Sequence, residues 1–267
     1  MHPLTVLIPC KDELQNIEEC LASVRPLADE ILIADSGSED GTLDAIHRQS
    51  DCRLIQRQYV HSGDFKNWAI PQATHEWVLL VDADERITPA LTAEIRQRLS
   101  ATEGTDGYWL PRENYFLGKR IRYSGWQSDC CLRLFRRDQA RYVGDTDHAE
   151  VRIASGRVGR LKSPLRHDTY ADYDSFFRKL NRYTTHQAQI WYAAGRRPTF
   201  AELLFSGPLR FLHAYLLRGG FLDGKAGLQV CALTGFYSFM KRARLWEQYR
   251  AAHAPRPQKA PHPVRAA

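Results

Sequence analysis

The 267-residue chain carries 37 Lys/Arg against 31 Asp/Glu, a formal net charge of +6, with 43% hydrophobic residues. That apolar content is ample for a core and excludes a disordered chain, while the length suits one catalytic domain plus an appendage. Its six cysteines lack metal-ligand spacing, and adjacent Cys130 and Cys131 suit neither zinc nor easy disulfide pairing; reduced thiols in a cytosolic compartment are the simplest account.

In chain order, Met1–Pro9 leads straight into a strand, Leu4–Pro9, without the basic and apolar regions of a signal peptide. Lys11–Glu13 read as a polar turn and Asn16–Val24 as a helix. A second strand, Glu30–Ala34, ends on Asp35, and Asp35–Thr42 (DSGSEDGT) is a loop in which Ser38 or Asp40 is placed to cap the following helix. Glu76–Val81 is a further strand, and it runs into Asp82 and Asp84 of LLVDADE. Strands alternating with helices imply βαβ units and a parallel sheet, whose ligands bind outside the carboxyl ends of the strands. Pro9, Asp35 and Asp82 all sit at such ends. Two carboxylates one residue apart at a sheet rim suit a divalent cation, Mg²⁺ or Mn²⁺, shared with substrate phosphates. The chain has no Walker lysine loop and no G-x-G-x-x-G, so it is neither a P-loop nor a dinucleotide-binding protein.

VLIPCKDE, ILIADSGSEDGT and VLLVDADE, in that order, resemble the inverting family 2 glycosyltransferases of GT-A fold. The resemblance implies that Pro9, Glu13 and Asp35 contact the nucleobase and ribose of a nucleotide-sugar donor, a UDP-sugar above all. It implies that Asp82 and Asp84 hold the metal and diphosphate, with Asp40 on the same donor side. Lys66 and Asn67, in GDFKNWAI, match a basic helix start near the donor. The implied fold is α/β: a Rossmann-like mixed sheet flanked by helices, with a C-terminal helical appendage.

Residues 107–137 are rich in aromatic and basic side chains. Aromatic faces stack on sugar rings and Arg forks suit phosphates and carboxylates; Trp126 and Arg133 are the acceptor-binding candidates. GKRIRYSGW, RHDTYADY, RKLNRYT and GGFLDGKAGL further resemble a subgroup that includes lipopolysaccharide core β-1,4-glucosyltransferases acting on heptose. The subgroup places Glu directly after His, whereas this chain reads His148, Ala149, Glu150. An inverting transfer needs a base within reach of the attacking hydroxyl. Glu150 is the candidate, His148 an orienting or phosphate-contacting residue, and Asp147 the rival. His167, in PLRHDTY, matches histidines placed near the diphosphate or metal.

Beyond residue 195 the chain holds 12 Lys/Arg against 3 Asp/Glu, an excess of +9, so the C-terminal part supplies the whole net positive charge. Its apolar runs, 200–217 and 227–240, are interrupted or short of the roughly 20 residues that span a bilayer. Basic amphipathic segments of this kind lie on anionic membrane surfaces, and no nucleic-acid module is recognisable. The expected organisation is 1–110 as the nucleotide-sugar half, 111–190 as the acceptor half, 191–250 as membrane-proximal helices and 251–267 as a disordered tail. The resulting expectation is a metal-dependent hexosyltransferase, peripheral on the inner face of the cytoplasmic membrane, acting on a glycan or glycolipid acceptor. Two alternatives stand beside it: a nucleotidyltransferase acting on sugar phosphates, against which PCKDE replaces the usual Gly-rich basic loop, and a non-enzymatic membrane-surface binding protein, against which the intact D-x-D argues.

Overall fold

A computed structural model of the chain describes residues 2–101, 104–144 and 149–253. They form two compact units, 1–122 with 126–171, and 123–125 with the chain from 172 onward. The division at Ala171/Asp172 groups the residues from 172 to 190 with the C-terminal helices.

The first unit opens with strands β1 (Leu4–Cys10), β2 (Glu30–Asp35) and β3 (Cys52–Gln56), separated by helices α1 (Ile17–Val24) and α2 (Thr42–His47). Helix α3 (Ser62–Ala69), strands β4 (Trp77–Leu80) and β5 (Glu85–Arg86) and helix α4 (Pro89–Ser100) follow. The remaining strands are β6 (Gly107–Phe116), β7 (Lys119–Arg120), β8 (Cys130–Arg136), β9 (Ala140–Val143), β10 (Glu150–Ile153), β11 (Val158–Arg160) and β12 (Leu165–Tyr170). The main sheet runs β3-β2-β1-β4-β8-β6-β12-β5, with β7 and β11 also on β6; β9 and β10 form a separate pair.

The expected βαβ half is present: β3, β2, β1 and β4 are parallel. Both faces of β1 are buried, which is why it reads as a continuous apolar run. Val6 and Ile8 enter one core cluster with Ile17, Leu21 and Ile95, while Leu7 enters the other with Phe65, Leu80 and Phe135. Strand β8 then runs antiparallel to both β4 and β6, so the sheet is mixed. This insertion places β8 side chains beside the end of β4. Two-residue β5 pairs antiparallel with β12 and sets His167 opposite Glu85.

The second unit contains α5 (Tyr173–Ala193), α6 (Phe200–Leu212), a π-helical turn at His213–Leu217, a 3₁₀ turn at Gly220–Asp223 and α7 (Gly224–His253). A capping box between Asp172 and Ser175 starts α5. Helices α6 and α7 meet at glycines. A Cβ at Gly235 would stand 2.9 Å from the Gly207 carbonyl oxygen, so only the missing side chains allow this approach. No helix among the described residues is long and apolar enough to cross a membrane. Residues 251–253 close α7, and the rest of the expected tail lies outside the described residues.

Candidate active site

The register of β1 against β2 sets Cys10 beside Asp35, bringing two loops together at the strand ends. Asp35 is fully buried; its carboxylate is held chiefly by its own loop, with Cys10 Sγ donating to Oδ2 at 3.6 Å from the neighbouring strand. It accepts from Gly37 N at 2.9 Å, from Ser38 N at 3.1 Å and from Ser38 Oγ at 2.5 Å. Burial opposes its ionisation, but the Ser38 and Gly37 hydrogen bonds outweigh it and hold its pKa below the usual value. Asp40 ties the second loop to the first: it accepts from Leu14 N at 3.1 Å and from Thr42 N at 3.0 Å. The helix α2 begins beside it at Gly41, whose φ of 95° is a left-handed conformation suited to glycine. Glu13 accepts from Asn16 Nδ2 at 2.7 Å and its own N–H donates to Thr42 Oγ1 at 2.9 Å. Pro9 is partly exposed near the end of β1. These four residues therefore converge on one loop pair at the sheet rim, where Asp35 and Asp40 shape the backbone.

Asp82 and Asp84 follow β4 by two and four residues. Asp82 is paired with Arg133 of β8, and Lys66 Nζ of α3 stands 3.6 Å from its Oδ1. Its backbone N–H donates to Glu85 Oε2 at 2.9 Å. Burial raises the pKa of Asp82, but Arg133 and Lys66 prevail and bring it down to about 2. Arg133 is itself buried and also contacts Glu85 Oε1 at 3.2 Å. It thus lies beneath the aspartate pair, not on an open acceptor face. Glu85 is fully buried; Arg112 Nη1 approaches its Oε1 to 3.5 Å.

Asp84 faces His167: Oδ2 and Nε2 are 3.6 Å apart. The other ring nitrogen, Nδ1, is 2.7 Å from Asn114 Oδ1. An amide oxygen only accepts, so Nδ1 carries the proton. The amide orientation follows from its other end, since Asn114 Nδ2 donates to Asp129 Oδ2 at 2.8 Å. In the neutral ring Nε2 is then a bare lone pair aimed at Asp84. Burial lowers the His167 pKa, but the hydrogen bond and charge of Asp84 outweigh this and raise it.

Among the described residues no three His, Cys, Asp or Glu side chains form a ready-made metal cage. Mg²⁺ and Mn²⁺ sites that use substrate phosphates need fewer protein ligands. A hard carboxylate beside an imidazole lone pair, with the imidazole oriented by Asn114, has the chemistry and the outer support of such a site.

Residues 5–166 match the sequence profile described as "Glycosyl transferase family 2", which is more than half of the chain. The chain belongs to glycosyl transferase family 2. It is 30% identical over 253 residues to the lipopolysaccharide core biosynthesis glycosyltransferase LpsC of Rhizobium meliloti, covering 92% of this chain and 93% of LpsC. An uncharacterized glycosyltransferase of Rickettsia typhi is 24% identical over 262 residues, 92% of this chain and 88% of that one. Among solved structures, the mannosyltransferase PcManGT of Pyrobaculum calidifontis in complex with GDP-Man and Mn²⁺ aligns with a TM-score of 0.46 at 17% identity, over 95% of this chain and 76% of that one. The chain is thus a family 2 glycosyltransferase.

The β9–β10 pair of this glycosyltransferase is fixed to α3. Asn67 grips Tyr142 twice: its Nδ2 donates to Tyr142 O at 2.9 Å, and Tyr142 N donates to its Oδ1 at 2.8 Å. Lys66 Nζ stands 5.2 Å from the Tyr142 ring centroid. A Cβ at Gly63 would come within 2.7 Å of Ala149 Cβ, so the residue before Glu150 rests on the first turn of α3. Glu150 itself is exposed at the start of β10. Asp147 and His148 lie outside the described residues. Trp126 is half-buried in the turn before β8, where its carbonyl accepts from Asp129 N at 3.3 Å.

The sequence reading missed Glu85, Arg112, Asn114 and Asp129. A signal existed for two of them: Arg112 and Asn114 are two apart on a strand and so share one face.

Proposed function

We propose that this family 2 glycosyltransferase moves a hexosyl group, with inversion, from a nucleotide-sugar to a hydroxyl of a lipid-linked envelope glycan of lipopolysaccharide-core type. The observation that carries the reading is the Asp82–Asp84–His167 grouping at the rim of the sheet, next to the loop pair of Pro9, Glu13, Asp35 and Asp40. The name and full-length similarity of LpsC support the acceptor class.

Asp84 and His167 are the residues proposed to hold a divalent cation, Mg²⁺ or Mn²⁺, which would neutralise the departing diphosphate. Asp82, held by Arg133 and Lys66, orients this rim and adds its charge on the cation side. Lys66 is mostly buried against Asp82 and Tyr142 and supplies a fixed positive charge toward the diphosphate. The loop pair receives the nucleoside, a UDP group being the first choice. Asp35 acts there by fixing the Ser36–Ser38 backbone. Glu150 is the proposed base: it removes the proton from the acceptor hydroxyl as that oxygen attacks opposite the leaving group. Trp126 is proposed to stack on the acceptor sugar.

Exposed Phe200, Leu204, Leu209, Leu216, Leu217 and Leu222 line the second unit, together with the +9 charge excess beyond residue 195. This combination supports docking on an anionic membrane surface, where a lipid-linked acceptor resides.

A panel of nucleotide-sugars with Mg²⁺ or Mn²⁺, read as released nucleoside diphosphate with and without core-glycolipid acceptor, tests the reading. One donor should respond to the acceptor. Glu150→Gln should cut that acceptor-dependent release by on the order of 10²-fold. Release of pyrophosphate would return the nucleotidyltransferase reading. If Glu150→Gln transfers like the unaltered chain, the base is another group.

A further inference from the structure

The second unit holds a concentration of positive charge to which the proposed transfer assigns no catalytic role. Trp191, near the end of α5, is the hub. The Arg196 guanidinium lies 4.3 Å from its ring centroid, that of Arg242 5.3 Å, and Lys241 Nζ 5.8 Å. Lys241 Nζ is also 4.8 Å from the Tyr237 ring centroid. Arg210, on α6, adds a fourth cation whose field reaches Lys241.

Among the described residues, one carboxylate is paired with any of these four charges. Glu202 pairs with Arg196 at 2.6 Å. Arg242 spends Nη1 on the Ser238 carbonyl and hydroxyl, at 3.0 and 3.1 Å, while its buried Nε has no partner among the described residues. Lys241 has no carboxylate partner among the described residues, and the residue is half-buried. Burial, then the charges of Arg242, Arg210 and Arg196, push its pKa below the usual lysine value. Aromatic faces offset part of such repulsion. They do not neutralise it. A dianion with several acceptor oxygens would, because guanidinium forks and an ammonium match phosphate oxygens.

We propose that Arg196, Lys241 and Arg242, gathered around Trp191 and Tyr237, with Arg210 on the helix packed beside them, form a binding site for a phosphomonoester dianion. None of these residues has a role in donor binding above, and the proposal does not depend on the transfer reaction. The same helix that carries Arg210 exposes Phe200, Leu204, Phe205 and Leu209. A phosphate at the end of a lipid headgroup therefore fits the surroundings as well as a soluble phosphate compound does.

The test uses the full chain with two kinds of probe. Vesicles of phosphatidylcholine are loaded with phosphatidic acid or with phosphatidylglycerol at matched surface charge, and inorganic phosphate is titrated separately by calorimetry. The unaltered protein should bind phosphatidic acid vesicles about tenfold more tightly than phosphatidylglycerol vesicles. Lys241→Gln with Arg242→Gln should remove that preference, with the thermal unfolding midpoint reporting that the fold persists. Should that pair fail to fold, exposed Arg210→Gln should reduce the preference in the same direction. Variant-sensitive binding of inorganic phosphate without lipid preference would assign the site to a soluble phosphate. Equal binding to both vesicles together with no variant-sensitive phosphate binding would overturn the proposal.

Discussion

His167 presents Nε2 to Asp84 Oδ2 at 3.6 Å because Asn114 Oδ1, 2.7 Å from Nδ1, fixes the opposite side of the ring. Strand pairing makes this possible: β12 lies between β6, which carries Asn114, and the short β5 that follows Asp84. Orientation of a metal-binding imidazole by a partner on its other nitrogen commonly governs affinity. Asn114→Ala should therefore raise the Mn²⁺ concentration needed for half-maximal donor hydrolysis by roughly 10- to 100-fold. An unchanged Mn²⁺ titration in a folded variant would remove His167 from the metal site.

Arg133 is the cation beneath the site, touching both Asp82 and buried Glu85. Removing Arg133 leaves Asp82 with Lys66 and Glu85 with Arg112, each at 3.5–3.6 Å, so the cost approaches from below that of a broken buried ion pair, about 3–5 kcal/mol. Arg133→Met should lower stability in urea by that order, and Arg133→Lys by less. If Arg133→Met unfolds at the same urea concentration as the unaltered chain, the guanidinium is not what holds these carboxylates in place.

The parallel half of the sheet was legible in the sequence because β1, β2 and β4 are buried on both faces and read as unbroken apolar runs. Their ends were legible for the same reason, since the first charged residue after such a run must lie at the rim. The partners of Asp82 and Asp84 were not. Arg133 reaches Asp82 through an antiparallel strand 51 residues later in the chain, and His167 reaches Asp84 through a two-residue strand. Neither pairing leaves a periodic trace. Asp35 stands at the end of its strand as expected, yet its full burial and its use by Ser38 depend on how two loops close on each other. The apolar run 227–240 shows only 14 of the 30 residues of helix α7, because its last turns, from Lys241 to His253, are mostly charged and polar and bury Leu245 alone.

Glu30 supplies a pH-dependent contribution to stability. Burial opposes its ionisation, but Thr5, Thr74 and Arg53 donate to its carboxylate and bring its pKa down to about 2. Its side chain is 13% exposed, so solvent screens these bonds only weakly. A depressed carboxylate contributes fully above its unfolded value of 4.5 and loses that contribution as pH falls toward 2. Unscreened, a depression of this size corresponds to roughly 3 kcal/mol, and solvent at Arg53, which is 44% exposed, brings the contribution below that. Glu30→Gln should destabilise the protein at pH 7 and flatten the stability profile between these two pH values. An equal acid slope in both proteins would place the acid sensitivity elsewhere.

Asp84 and His167, at the rim of the sheet, are the ligands proposed for the cation that serves the diphosphate. The direct measurement is Mn²⁺-dependent release of nucleoside diphosphate from the preferred nucleotide-sugar by Asp84→Asn, alongside Mn²⁺ binding followed by electron paramagnetic resonance. Asn keeps the size of the side chain but removes the charge. Release should fall by at least about 10²-fold and donor-dependent Mn²⁺ binding should be lost, with the thermal unfolding midpoint retained. Near-unaltered release together with unaltered Mn²⁺ binding would contradict this assignment.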